Sequence, residues 1–380
     1  MSDNNDATGS YSEPAGDSFT ETTSQSWFSR IGGALVGLLI GLLFVPGGSV
    51  LLFWNEGRAV TTARSLGEGA GLVRDVTPDR PDPAQEGRLV HVAGPVTIAT
   101  APRDPELNIT PPAGTLRLIR HVEMFQWKEE QHSETRTRLG GGTETVNTYR
   151  YNRVWEAGRI DSSRFRQQEG HINPSARYSD QAWLAQGARL GGFTLADAQL
   201  TELPADQPVG ETRFFGPDAA NPRIGDQRVS WRAATPPTIS VVAAQTGQGF
   251  APYATRAGDR LMMVQPGQVP ASAMFQQAEH DNMIITWALR AVGALVVFFG
   301  FMLFFNPLKV LADVIPFLGG MVGFGAGLLA AVLTLVVAPL VIAVAWIAFR
   351  PLIGIGILVV GLALAFGVSR LRRSRGAQPA

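Results

Sequence analysis

Apolar residues are piled at the two ends of this chain, and that layout fixes its relation to solvent before any motif is considered. One uncharged run fills Ile31 to Phe53, a group of runs fills Ile284 to Val368, and the stretch 55–283 between them is polar enough for water. A bilayer core takes about 20 apolar helical residues to cross, and the first run supplies more than that. The chain therefore reads as a membrane protein holding one large domain against a bilayer. Its formal net charge of zero conceals this division, because the average mixes residues meant for two solvents.

The boundaries follow from local composition. Residues 1–26 are Ser, Thr, Asp, Gly and Asn without apolar periodicity, which predicts a disordered cytoplasmic tail. A first transmembrane helix is expected over 27–54, with Pro46-Gly47-Gly48 as a kink or a tight packing surface. Arg30 is the nearest cation and Trp54-Asn55-Glu56 follows the run, which argues for a retained anchor rather than a cleaved signal peptide. Three further transmembrane helices are expected over 284–306, 321–349 and 351–369, divided at Asn306-Pro307 and Arg350-Pro351. Lys309, Asp313 and Pro316 make 307–320 an interfacial segment in this reading. Arg370, Arg372, Arg373 and Arg375 mark 370–380 as a basic cytoplasmic tail, so both termini are cytoplasmic and the domain over 55–283 is extracytoplasmic. Trp27, Trp54, Trp287 and Trp346 lie near span ends, where amphipathic rings are favoured.

The fold class expected is a four-span α-helical membrane protein with a strand-rich α+β domain between spans one and two. Arg88 to Ala93 reads as a strand. Leu116 to Trp127 and Val146 to Trp155 form a long hairpin with its tip at Gly140-Gly141-Gly142. Arg228 to Ala233 and Thr238 to Ala244 suggest a second pair across Pro236-Pro237, and Leu261 to Val264 a short strand. Helical character appears in Ser179 to Arg189, Thr194 to Leu203 and Ala271 to Met283.

Little in the domain points to chemistry. The chain has no cysteine, which excludes disulfides, thiolate metal sites and cysteine nucleophiles. His91, His121, His132, His171 and His280 include no i, i+4 pair of metal ligands, and no serine sits in a hydrolase elbow. His121 and Glu123 share a strand face, a spacing that any exposed polar face also shows. The glycine triplet precedes Thr143-Glu144 and suits a hairpin tip, not a phosphate loop. No catalytic, metal or cofactor site is expected, and the chain reads as non-enzymatic. The only lysines are Lys128 and Lys309, and the arginine-, Ala-, Gly- and Pro-rich composition suggests a GC-rich bacterial coding bias rather than a nucleic-acid surface.

Candidate residues therefore concentrate at the membrane, where ionisable groups are costly and often functional. Glu56 and Arg58 follow the first run, Arg290 sits inside the second, Asp313 precedes the third and Arg350 closes it. Snorkelling, ion pairing between helix ends, and a solute pathway are the competing uses. Gly319, Gly323 and Gly327 recur at four-residue spacing, a pattern for close helix packing or self-association.

Short blocks in a consistent order give the chain a resemblance to the transmembrane protein 43 (LUMA) family. They are Asn55-Glu56-Gly57-Arg58-Ala59, Glu86-Gly87-Arg88-Leu89-Val90-His91, and Arg120-His121-Val122-Glu123-Met124-Phe125-Gln126-Trp127. Further along come Gly170-His171-Ile172-Asn173-Pro174-Ser175-Ala176, Gly225-Asp226-Gln227-Arg228-Val229-Ser230, Thr286-Trp287-Ala288-Leu289-Arg290 and Arg350-Pro351-Leu352. The resemblance implies four spans, with a large domain between the first two. It also implies a role in organising membrane protein complexes. Animal members lie in the endoplasmic reticulum and inner nuclear membrane and are associated with emerin and lamins. For a bacterial member the expectation reduces to an inner-membrane scaffold that self-associates and contacts lipids and unidentified membrane proteins, but no nucleic acid. A channel or transporter component using Arg290, Asp313 and Arg350 is the alternative, followed by a tethered enzyme built on His121 and Glu123. The family supplies no catalytic residues to carry over.

Overall fold

The computed structural model describes residues 17–351, together with Gly356 and Val359. Three long helices dominate them: α1 (Trp27–Leu72), α2 (Ala271–Ala312) and α3 (Pro316–Phe349). Each is long and apolar enough to cross a membrane. Among the described residues the spans number three, not four: apart from Pro351, Gly356 and Val359, the expected fourth span and the basic tail lie outside them.

Both long connections to the domain differ from expectation in the same way. α1 does not stop at Trp54 but runs on to Leu72, and α2 begins at Ala271, well before the apolar stretch. Their ends are amphipathic enough to enter the domain core, where Leu66, Met274 and Phe275 pack with Leu89, Val242 and Leu261. α1 passes through Pro46 unbroken, and the adjacent Gly48 takes the packing role: a Cβ there would meet Val297 Cγ2 at 2.8 Å. The expected interfacial segment 307–320 is instead the end of α2, a turn at Asp313–Ile315 and the start of α3. Lys309 and Asp313 are tolerated there because they pair with each other across 3.4 Å and because Arg30 binds the same carboxylate.

The domain is built on two large sheets, with a two-stranded sheet of Tyr253–Ala254 and Arg260–Leu261 beside them. The first runs in the order β1 (Ser18–Gln25), β4 (Thr143–Ala157), β3 (Arg117–Thr137), β5 (Gln227–Ala234) and an edge strand Arg213–Phe215. The second centres on β2 (Leu89–Thr97) and β6 (Thr238–Thr246), paired antiparallel. Val90, Val92, Val241 and Ala243 face a core shared with Leu116, Phe193 and Leu203, whereas Leu89 and Val242 face the helix ends. The second sheet is thus a middle layer buried on both faces, which is why its strands lack a clean polar alternation. β5 and β6 do not form a hairpin: they lie in different sheets, with Pro236-Pro237 as the corner between them. The segment expected to be helical from Ser179 contains instead a strand, Gln181–Leu184, on β3. Of the helix expected over Thr194 to Leu203, the core Asp197–Glu202 is present.

The hairpin of β3 and β4 is far longer than its core requires. Its outer half is polar, and β1 pairs along it from Ser18–Arg150 to Gln25–Thr143. Residues 18–25 are therefore an ordered edge strand, not part of a disordered tail. The backbone ladder with β4 satisfies them without burial of apolar surface. Asp17 anchors the far end of this strand, its carboxylate 2.7 Å from Nε2 of His171, which stacks on Tyr151. At the tip, Gly140 N–H donates to Val314 O at 3.1 Å, and the Arg30 guanidinium donates to Gly141 O. The tip thus rests on the start of α1 and the α2–α3 turn. At about 1.5 Å per residue the 46 residues of α1 measure about 69 Å, and at about 3.3 Å the 21 residues of β3 measure the same. Helix and ribbon are two uprights of a closed frame.

Candidate functional site: a polar belt at the domain end of the helices

Four of the candidate residues, Glu56, Arg58, Arg290 and Arg350, come together where the helices meet the domain. Glu56 is 2% exposed and accepts two bonds from Arg290, Nε to Oε1 at 2.6 Å and Nη2 to Oε2 at 2.9 Å. Trp346 of α3 donates its indole N–H to the same carboxylate at 2.8 Å, so one side chain ties all three helices. Burying the charge is tolerable because a bidentate partner and a further donor replace water. The Arg290 guanidinium also lies over the Trp287 ring, 4.7 Å from its centroid. Arg350 lines a recess of about 190 Å³ with Glu56, Arg290 and Trp346.

A second tier lies one turn closer to the domain. Asn55 donates to Thr286 O at 3.0 Å, and Arg58 donates to Asn282 Oδ1 at 3.0 Å and to Thr286 Oγ1 at 2.9 Å. Asn282 returns a bond to Ala59 O at 3.1 Å. Gly57 is needed because a Cβ would stand 2.8 Å from the Phe349 ring. Two of the blocks quoted above, Asn55 to Ala59 and Thr286 to Arg290, therefore interlock almost residue by residue. Sequence reasoning missed Asn55, Asn282 and Thr286. The available signal was the polar stripe Asn282, Thr286, Arg290 at four-residue spacing on one helix face.

The remaining candidates lie elsewhere. Asp313, also 2% exposed, is at the opposite end of the bundle with Arg30 and Lys309. Gly319 sits directly against the Asp313 carboxylate; a Cβ on Gly323 would stand 3.0 Å from the Lys309 stem and one on Gly327 3.7 Å from Met302 Sδ. That glycine face is used within the chain, to seat α3 on α2. The closest helix contact uses glycines that the sequence did not single out: a Cβ on Gly41 would stand 2.9 Å from Phe304 N, and one on Gly300 2.9 Å from Val45 N.

Other quoted blocks meet at the root of the ribbon. Asn173 exchanges bonds with Trp127, N–H to Oδ1 at 2.7 Å and Nδ2 to carbonyl at 2.9 Å, and Phe125 N–H donates to Asp226 O at 2.8 Å. Glu123 is bound by Arg228, whose guanidinium holds the carboxyl below its usual value, and His121 is exposed beside it. Tyr151 donates to Glu129 at 2.7 Å. Burial first, then that carboxylate, pushes its phenol up to about 12. Deeper in the domain, Arg120 is 1% exposed between Asp104 and Glu106, and Trp231 donates to Asp104 at 3.0 Å. Apart from His121, each of these groups has a partner within the domain. Among the described residues no group of three His, Asp or Glu is placed to hold a metal ion.

Long apolar helices, a strand-rich domain fixed to their ends and a buried ionic belt between the two define an integral membrane protein. A family model described as Transmembrane protein 43 matches residues 124–351. Transmembrane protein 43 of Homo sapiens is 31% identical over 375 residues, covering 90% of this chain and 92% of its own length. The Rattus norvegicus protein of that name is 30% identical, covering 93% and 94%, and the homolog of Drosophila melanogaster 31%, covering 90% and 95%. The chain belongs to the transmembrane protein 43 family. No solved structure matches it.

Proposed function

We propose that this protein is a non-enzymatic scaffold of an inner membrane, in which several copies assemble with their ribbons inward and present the domains as one surface. The N-terminal face of the bundle is cytoplasmic and the domain extracytoplasmic in this reading. The observation that carries it is the frame. The outer ribbon is polar on both faces, through residues such as Glu130, Gln131, Ser133 and Thr135, and the outer edges of β1 and β3 there pair with no strand among the described residues. Such a ribbon cannot face hydrocarbon, where every backbone group needs a partner. Alongside helices that cross a bilayer it needs protein or water around it, and neighbouring copies supply both. Two further features support a scaffold. α1 and α2 run unbroken from the apolar stretch into the domain core, which fixes the height and orientation of the domain. The membrane charges Glu56, Arg290 and Asp313 are consumed by bonds between helices rather than left to bind a solute.

The absence of native cysteine makes the test clean. Thr22→Cys and Thr135→Cys, at the two ribbon edges, are expected to give cross-linked multimers with a short bis-maleimide in native membranes. Monomers alone at both positions would refute the assembly. Leu139→Cys at the tip, 87% exposed, is expected to react with an impermeant maleimide from the face opposite the domain. Reaction from the domain face alone would remove the reason for proposing it.

A further inference from the structure

A groove of about 790 Å³ runs between α1 and α3 on the outside of the bundle. Its floor is apolar, from Val50 and Phe53 on one side to Leu340, Val344 and Phe349 on the other. Its charged groups, Arg58 and Asp259, lie at the domain end with Thr61, while Ser49 at the other end spends its hydroxyl on Val45 O of its own helix at 2.8 Å. Along α1 it extends from Ser49 to Thr61, about 18 Å at 1.5 Å per residue, close to the roughly 15 Å depth of one leaflet. Polarity and depth are thus arranged as in a single amphiphile.

The charges at the mouth decide what kind. Among the described residues Arg58 is bonded only to neutral partners, Asn55, Asn282 and Thr286, and its buried Nε has no acceptor. Among the described residues no carboxylate lies within 4 Å of it. Glu56, its near neighbour, is taken by Arg290. Asp259 is engaged by the Thr62 hydroxyl at 2.6 Å, and Arg64, outside the lining, is bonded to the carbonyl of Phe349 at 2.6 Å. Of the two charged groups that line the groove, the carboxylate is thus engaged, while the guanidinium keeps a buried nitrogen with no acceptor among the described residues.

We infer that the groove is a binding site for an anionic phospholipid of the domain-facing leaflet, its acyl chain lying along Val50, Phe53 and Val344 and its phosphate on Arg58. This site does not depend on the assembly proposed above, since all its residues belong to one chain.

The test uses the full-length protein, purified in mild detergent and titrated with phosphatidylglycerol or phosphatidylcholine, with bound lipid counted by native mass spectrometry. Wild type is expected to retain phosphatidylglycerol preferentially. Arg58→Gln is expected to lose that preference by about five-fold, the scale of one cation near an anionic headgroup, while Arg58→Lys keeps most of it. Leu340→Trp and Val344→Trp fill the groove from its half-exposed wall without touching the belt, and are expected to reduce retention of both lipids. Equal retention of both lipids by wild type, or unchanged retention in the tryptophan variants, overturns the inference. So does a Val50→Cys cross-link to a cysteine placed within 352–368 that forms in membranes and excludes lipid, because the groove would then be filled by the chain itself.

Discussion

Glu56 and Asp313 are equally buried carboxylates in one helical bundle, yet they hold different things together. Glu56 gathers donors from α2 and α3 and ties helix to helix at the domain end. Asp313 gathers Arg30 and Lys309 at the far end, and through Arg30 it is connected to the ribbon tip at Gly141. One knot closes the bundle and the other closes the frame. Burial of a charge says that a partner exists, and only the identity of the partner says what would come apart without it.

That contrast can be broken or sharpened by substitution, in order of expected effect. Glu56→Leu strands Arg290 and the Trp346 indole without an acceptor and is expected to cost about 3–5 kcal/mol, read as a lower Tm in detergent. Adding Arg290→Leu should restore most of that, since a well-packed apolar pair can match a buried ionic one. A single variant as stable as wild type would break the comparison at once. Asp313→Asn is expected to raise hydrogen exchange at 138–142 and in β1 while leaving the domain core protected; Glu56→Leu should show the reverse emphasis. Trp346→Phe removes one bond to a charged acceptor and should cost about 1.5–3 kcal/mol. Gly57→Ala sets a methyl against Phe349 and is expected to cost about 1–3 kcal/mol of overpacking, less if the ring shifts.

The smallest effect concerns the domain, as a control remote from both knots. Glu123 is held below its ordinary value by Arg228, so the pair contributes above the ordinary carboxylate range, and that contribution fades as pH falls through the lowered folded-state value. Both side chains are more than a third exposed, and solvent screening limits the contribution to less than about 1 kcal/mol. Glu123→Gln should therefore lower Tm slightly at pH 7, by an amount that shrinks as the pH is taken down through the lowered value. A large loss at pH 7 would mean that the ribbon root carries more of the fold than its geometry suggests.

Much of this architecture was legible in the sequence. The apolar runs located all three described helices, and β3 and β4 were visible as a hairpin tipped by Gly140-Gly141-Gly142. What failed did so for physical reasons. Ser18 to Gln25 has no apolar periodicity because its bonds are made edge-on to β4, and backbone pairing leaves no composition signal. Lys309 and Asp313 argued against a spanning helix because a single sequence does not reveal that Arg30 waits 283 positions away. Glu56, Arg58 and Arg290 were picked as ionisable groups near a membrane, but their arrangement was not visible: Asn55 reaches Thr286 across 231 positions. Gly319, Gly323 and Gly327 were read as a face for close packing or self-association; in the structure they lie toward Asp313, Lys309 and Met302 of the same chain.

The equal lengths of α1 and β3 bear on how the molecule meets membranes of different thickness. A free helical bundle adjusts to hydrophobic mismatch by tilting, at a modest cost per ångström. Here the ribbon fixes the separation between Arg30 and the domain, so tilting the helices alone would pull the tip off the α2–α3 turn. Mismatch must then be taken up by the surrounding lipid, which makes the frame a caliper set to one thickness.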